Sequence, residues 1–245
     1  MTNNTILEHR FNELYERAEL RRTREFTDFL NLNEISILKT ALPEGCYTLY
    51  GGYEGAERCV AGFGEISDNS DFPISCVLIE PAGIRFAENL SHRDYLGSVL
   101  ALGITRETLG DIITDGKSAY IFCRKNISDY ITDNLSSVRH TTVKCSTVNN
   151  VPEILTQPPE AREIIVPSLR TDAVISAIYK LSRKSTAALF AQDKIFINAV
   201  KCTKSSKTLS ENDIVSVRGY GRFIYCGEER KTKKDRAVIS VKIFK

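Results

Sequence analysis

Lys180, Ser182, Arg183 and Lys184 combine, within five residues, side-chain types that handle anions. A serine at a helix start accepts a hydrogen bond from a backbone N–H of the first turn, and the other N–H groups there carry partial positive charge. Arg183 and Lys184 fall in that same turn, so backbone N–H groups and two cations can converge on one phosphate. Arg170 lies just upstream, and Lys194, Asn198, Lys201, Arg218 and Arg222 follow. A charge run is by default a solvated face. The chemistry available here is binding, in which a polyanion is held at several points and no bond is made.

The balance of charge supports that reading. The 245 residues carry 33 Lys+Arg and 31 Asp+Glu, a formal net charge of +2. Cut after Glu160, residues 161–245 hold 18 basic and 8 acidic side chains, net +10, which leaves −8 for the first 160. One end of the chain therefore attracts a polyanion, while the other repels it unless a local patch compensates.

Enzyme-like patterns are incomplete. The stretch 51–58, GGYEGAER, is glycine-rich but lacks the G-K-[ST] ending that would place a lysine and a hydroxyl on a nucleotide's phosphates, so it reads as a turn. His92-Arg93-Asp94 has no Ser or Cys nucleophile pattern beside it. Ser91 and Asp94 are expected to cap a helix, which leaves His92 and Arg93 exposed as a secondary RNA contact. Lys180 to Ser185 echo the Lys-Met-Ser-Lys-Ser loop of class I tRNA synthetases without the partner motif of those enzymes. Arg170-Thr171-Asp172 is similar to the Arg-Leu-Asp of pseudouridine synthases, but Asp172 sits at a helix start, where a structural role is expected. Seven cysteines without a C-x-x-C pair and three histidines far apart read as reduced thiols with no metal site. No cofactor and no small-molecule substrate are implied. No apolar run reaches membrane-spanning length and the N-terminus has no signal-like core, so a cytoplasmic protein without a membrane partner is expected.

The elements that must position these residues give an α+β protein. Leu7, Phe11, Leu14, Tyr15 and Ala18 recur at helical spacing, and a second helix is expected over 33–42 before Pro43 and Gly45. Residues 1–72 form this N-terminal helical or mixed region. Over 73–150 the order is strand, helix, strand, an Asp115-Gly116 turn, strand, helix, strand, the βαββαβ pattern of ferredoxin-like and RNA-recognition-motif (RRM-like) domains. Tyr120 and Phe122 alternate on one face there, in a strand with little likeness to the aromatic-rich RNA-binding consensus, and are expected to pack rather than to serve as base platforms. Four of seven prolines fall within 151–167, which reads as a linker. Two short helices and four β-rich segments follow over 168–245.

Leu169-Arg170-Thr171-Asp172, Ser182-Arg183, Ile195-Phe196-Ile197-Asn198 and Asp213-Ile214-Val215-Ser216-Val217-Arg218 resemble, in order and spacing, the RNA-binding domain named after ribosomal protein S-four. Asp193 and Ala199 stand where that family usually has glycine. Together with LRRTREFTDFL, GGYEGAER and HRDYLGSVLALGITRETLGDI, the resemblance extends over nearly the whole chain to the YlmH family of bacterial proteins. It implies an N-terminal helical region, an RRM-like domain and a C-terminal S-four-like domain. It also implies a non-enzymatic factor on the large ribosomal subunit, in ribosome-associated quality control of stalled subunits carrying peptidyl-tRNA. Its RNA partners would be structured large-subunit ribosomal RNA, with tRNA beside it. The alternatives are an RNA-modifying enzyme of the pseudouridine synthase type, with catalysis in the first 150 residues, and an adaptor linked to cell division.

Overall fold

The computed structural model describes residues 3–83, 88–149, 151–152 and 159–244. Two compact units divide the chain, Met1–Gln157 and Pro158–Lys245.

The first unit opens with α1 (Asn3–Arg21), whose Phe11, Leu14 and Ala18 form one buried stripe at helical spacing. Strand β1 (Glu25–Leu30) and helix α2 (Leu32–Ala41) follow. A capping box starts α2: Asn31 Oδ1 accepts from the N–H of Asn33 and Glu34, and the Asn31 N–H donates to the Glu34 carboxylate at 2.7 Å. Strands β2 (Thr48–Tyr50) and β3 (Cys59–Phe63) complete an antiparallel sheet in the order β1-β3-β2. The region is thus mixed, and more β-rich than the helical spacing alone suggests. Its strands are three to six residues long, and β1 carries a register shift between Phe26 and Phe29, so no clean period of two marks them.

The βαββαβ order is observed: β4 (Ile74–Pro81), α3 (His92–Leu100), β5 (Leu109–Thr114), β6 (Ala119–Arg124), α4 (Lys125–Asn134) and β8 (Thr141–Val148), with a short β7 (Ser137–Val138) added before the last strand. The sheet runs β5-β6-β4-β8-β7. Asp115 Oδ1 accepts from the N–H of Lys117 and Ser118 and so closes the predicted hairpin turn. Alternation assigns the two faces. Val77, Ile79, Ile121 and Cys123 pack beneath Tyr95, Val99 and Ile131 of the helices, and Cys76 and Phe122 face the other way, against Phe29, Val60 and Phe72.

The second unit contains β9 (Ala161–Val166), α5 (Thr171–Tyr179), α6 (Arg183–Ala191), β10 (Ile195–Ile197), β11 (Val200–Lys201), β12 (Ile214–Val217), β13 (Gly221–Lys231) and β14 (Ala237–Phe244). Its sheet order is β11-β10-β12-β13-β14-β9. Val174, Ile175, Leu189 and Phe190 of the two helices close a core with Ile195, Val215, Phe223 and Ile239.

The expected linker over 151–167 is corrected here. Residues 153–158 lie outside the described residues, but Ala161–Val166 is an edge strand paired with β14 from Ala237↔Val166 to Lys242↔Ala161. Only Val166 of β9 is buried, and Ile165 is 56% exposed, so the segment shows no alternation to read. Glu163 and Arg230 reach across β14 in a two-bond fork at 2.7 Å each.

Candidate nucleic-acid interface

Helix α5 ends at Lys180, whose left-handed backbone (φ 52°, ψ 43°) turns the chain sharply. Two residues later Ser182 starts α6, its Oγ accepting from the Ser185 N–H at 3.1 Å and sharing a hydrogen bond with Ser185 Oγ at 2.8 Å. Ser182, Arg183 and Lys184 are all exposed. Among the described residues, no carboxylate forms an ion pair with Lys180, Arg183, Lys184 or Lys194. These four cations keep their full attraction for an external anion.

Between α5 and α6 lies a groove of about 670 Å³, lined by Arg170, Asp172, Ser176, Arg183, Thr186 and Ser205 among others. Arg170 is held at its edge by Asp172, with Nε–Oδ1 at 3.1 Å and Nη2–Oδ2 at 2.7 Å. That partner raises the Arg170 guanidinium above its ordinary value. Asp172 also accepts from the Ala173 N–H at 2.8 Å and so serves the helix start. The segment 205–209 is tied to the same end of α5 by the Thr171 N–H to Lys207 carbonyl and Asp172 N–H to Ser205 carbonyl bonds. Those bonds hold the backbone of Ser205 and Lys207 beside the start of α5.

The remaining positions are differently occupied. Arg218 lies 5.0 Å from the ring centroid of Phe196 and Arg222 lies 4.2 Å from that of Phe244, so both guanidiniums are stacked. Lys201 pairs with Asp193 at 3.1 Å. The Asn198 amide donates to Asp213 Oδ1 at 2.7 Å and its oxygen accepts from the Ile214 N–H at 2.9 Å, so this side chain secures a turn. Asp193, Asn198 and Ala199 have φ of 52°, 51° and 61°. The backbone keeps the left-handed geometry that glycine would adopt freely, although Asp193 and Ala199 replace glycine.

His92 and Arg93 belong to the first unit, at the start of α3, both exposed. The Ser91 N–H and Oγ both donate to Asp94 Oδ2, at 2.8 and 2.7 Å. Desolvation first, then the Arg106 guanidinium, holds the His92 imidazole below its ordinary range. Burial and the adjacent Arg58 bring the Arg106 guanidinium down to about 10. The glycine-rich stretch is a clasp: Asp111 accepts from Tyr53 Oη at 2.8 Å and from the N–H of Glu57 and Arg58 at 2.7 and 3.1 Å. Burial pushes the Cys76 and Cys123 thiols up to about 12, which makes them poor nucleophiles. No helix among the described residues is long and apolar enough to cross a membrane.

Residues 67–151 match the family described as "Putative RNA-binding domain in YlmH". The chain is also 28% identical over 224 residues to "Ribosome-associated protein quality control protein P2" of Bacillus subtilis (strain 168), across 86% of this chain and 84% of that protein. The chain is thus similar to the YlmH family through its RNA-binding domain and to this relative over most of its length. A solved structure, "Cell division protein ylmH from Streptococcus pneumoniae", superposes with a TM-score of 0.51 at 19% identity, covering 60% of this chain and 92% of that one. That likeness supports the α+β fold. The matched RNA-binding region is the RRM-like domain of the first unit, whereas the uncommitted cations lie in the second.

Proposed function

We propose that this protein is an RNA-binding, ribosome-associated factor. In this reading it acts on the large ribosomal subunit in quality control of stalled subunits carrying peptidyl-tRNA, and it grips ribosomal RNA through its second unit. The observation that carries the reading is the exposed Ser182-Arg183-Lys184 helix start, with no carboxylate paired to either cation among the described residues, within residues 161–245 of net +10. A relative named for ribosome-associated quality control and a matched RNA-binding domain support it. The S-four-like motif order points to structured RNA, with tRNA as a second contact. The role in this reading is binding rather than catalysis: Asp172, in the segment similar to the Arg-Leu-Asp of pseudouridine synthases, serves the helix start and pairs with Arg170.

Sucrose-gradient sedimentation of lysate, with sequencing of crosslinked RNA, tests this reading. Co-migration with large subunits and crosslinks in large-subunit RNA are expected. Free fractions with scattered crosslinks would sink it, and a nucleoside modification lost from the RNA of a deletion strain would favour the enzyme.

A further inference from the structure

The face of the five-stranded sheet away from its helices meets the N-terminal sheet along a groove of about 640 Å³. That volume falls within the roughly 300–1,000 Å³ range of small-ligand sites. Four rings line it, in two pairs: Tyr50 and Phe72 with centroids 5.4 Å apart, and Tyr53 and Phe122 at 5.1 Å with planes only 27° apart. Gly52 lets the backbone lie flush against the Phe122 ring, where a Cβ would stand 2.1 Å from Cδ1. Its φ of +102° is a second reason for glycine there.

The rim is polar and the charge selective. Asn69 and Asn149, both exposed, offer amides that donate and accept, and Thr147 adds a hydroxyl. Although the first 160 residues carry net −8, none of the described residues lining the groove is acidic, and Lys125 is its one charged side chain. The half-buried Tyr50 and Tyr53 rings, backed by the buried Phe72 and Phe122, an amide rim and a single cation are the parts needed to stack a base, read its edge and neutralise its phosphate.

We propose that this groove binds an unstacked base of single-stranded RNA. The proposal rests on the RNA-binding reading for the identity of the polymer, but it uses residues of the first unit that the Ser182 helix start does not involve. Walls formed by two sheets admit one base and exclude a duplex, whose bases are already stacked within it. The covering of Phe122 by Tyr53 replaces the open aromatic platform of an ordinary RNA-recognition sheet with a pocket.

The test uses the full chain and a single-stranded RNA hexamer carrying one 2-aminopurine, whose fluorescence falls on stacking, together with a 4-thiouridine version for photocrosslinking and peptide mapping. Saturable quenching and crosslinks on peptides that contain Tyr50, Tyr53 or Thr147 are expected. Lys125→Glu combined with Thr147→Glu changes two exposed rim positions and should weaken quenching by about tenfold, with an unchanged melting curve. Arg183→Glu with Lys184→Glu should leave both the quenching and the crosslink positions in place. Absent quenching, crosslinks confined to 158–245, or quenching indifferent to the rim reversal would each overturn the groove. Those three outcomes leave the helix-start reading standing, because its own test is large-subunit sedimentation.

Discussion

Tyr53 lies against Phe122 with ring centroids 5.1 Å apart and planes 27° apart. Phe122 lies on β6, one strand in from the edge of the five-stranded sheet, and is only 2% exposed, so a loop 69 residues upstream converts that part of the face from a surface into an interior. The loop stays there because Tyr53 Oη and the N–H groups of Glu57 and Arg58 all end on the Asp111 carboxylate.

Asp111→Ala should therefore destabilise the first unit by about 2–3 kcal/mol, since three donors lose a charged acceptor. Tyr53→Phe, which removes one of those bonds, should cost about 1 kcal/mol. Denaturant unfolding of the two variants measures both. A change below about 0.5 kcal/mol for Asp111→Ala would mean that the clasp is slack.

Ala199 is the reverse case, a residue whose replacement should help. Ile197 pairs with Val200, so Asn198 and Ala199 form a two-residue hairpin loop with positive φ at both positions, the type I′ arrangement that favours glycine second. Ala199→Gly relieves left-handed strain worth about 1–2 kcal/mol and adds backbone entropy to the unfolded chain. The net is a stabilisation of about 0.5–1 kcal/mol. A lower melting temperature for this variant would count against the turn.

Arg183→Glu with Lys184→Glu should abolish co-sedimentation with large subunits. Each lost phosphate contact lowers the magnitude of the slope of log affinity against log salt by roughly 0.7–0.9. Stability should shift by no more than about 0.5 kcal/mol, both residues being exposed. Wild-type sedimentation by a normally melting double variant would move the site to Lys194, Arg218 or Arg222.

His92 should titrate below 6.5, its ordinary value, because its surroundings desolvate the imidazolium and Arg106 and Arg93 repel it. A folded midpoint lower than the unfolded one means that the unfolded chain binds the proton more readily. The contribution of His92 is thus fully present above pH 6.5 and is lost as pH falls from 6.5 towards the folded midpoint. NMR titration of the ring protons should place the midpoint below 6.5, and Arg93→Gln should raise it. A midpoint at or above 6.5 in the native protein would refute the assignment.

Locally encoded features could be read from the chain. Asp115-Gly116 closes a hairpin through its own side chain, and Ser182 caps α6 through Ser185. Each of these depends on residues within a turn or a strand of one another. β9 escaped because an edge strand with one buried residue has no period to show. Asn198, grouped with the RNA contacts by motif, has its amide engaged by Asp213, 15 residues away.

Residue types and spacing determined the order of elements, the caps, and the concentration of positive charge beyond residue 160. Tertiary structure decided which cations are uncommitted, as Lys201 found Asp193 while, among the described residues, Arg183 and Lys184 found no carboxylate. It also decided that the aromatic face of the RRM-like sheet is roofed. Arg124 donates to the Thr27 carbonyl 97 residues away, and Arg58 to the Phe29 and Leu109 carbonyls. Local propensity acts over a few residues, whereas burial of Phe122 beneath Tyr53 and Phe29 depends on distant segments meeting, and no window along the chain contains that information.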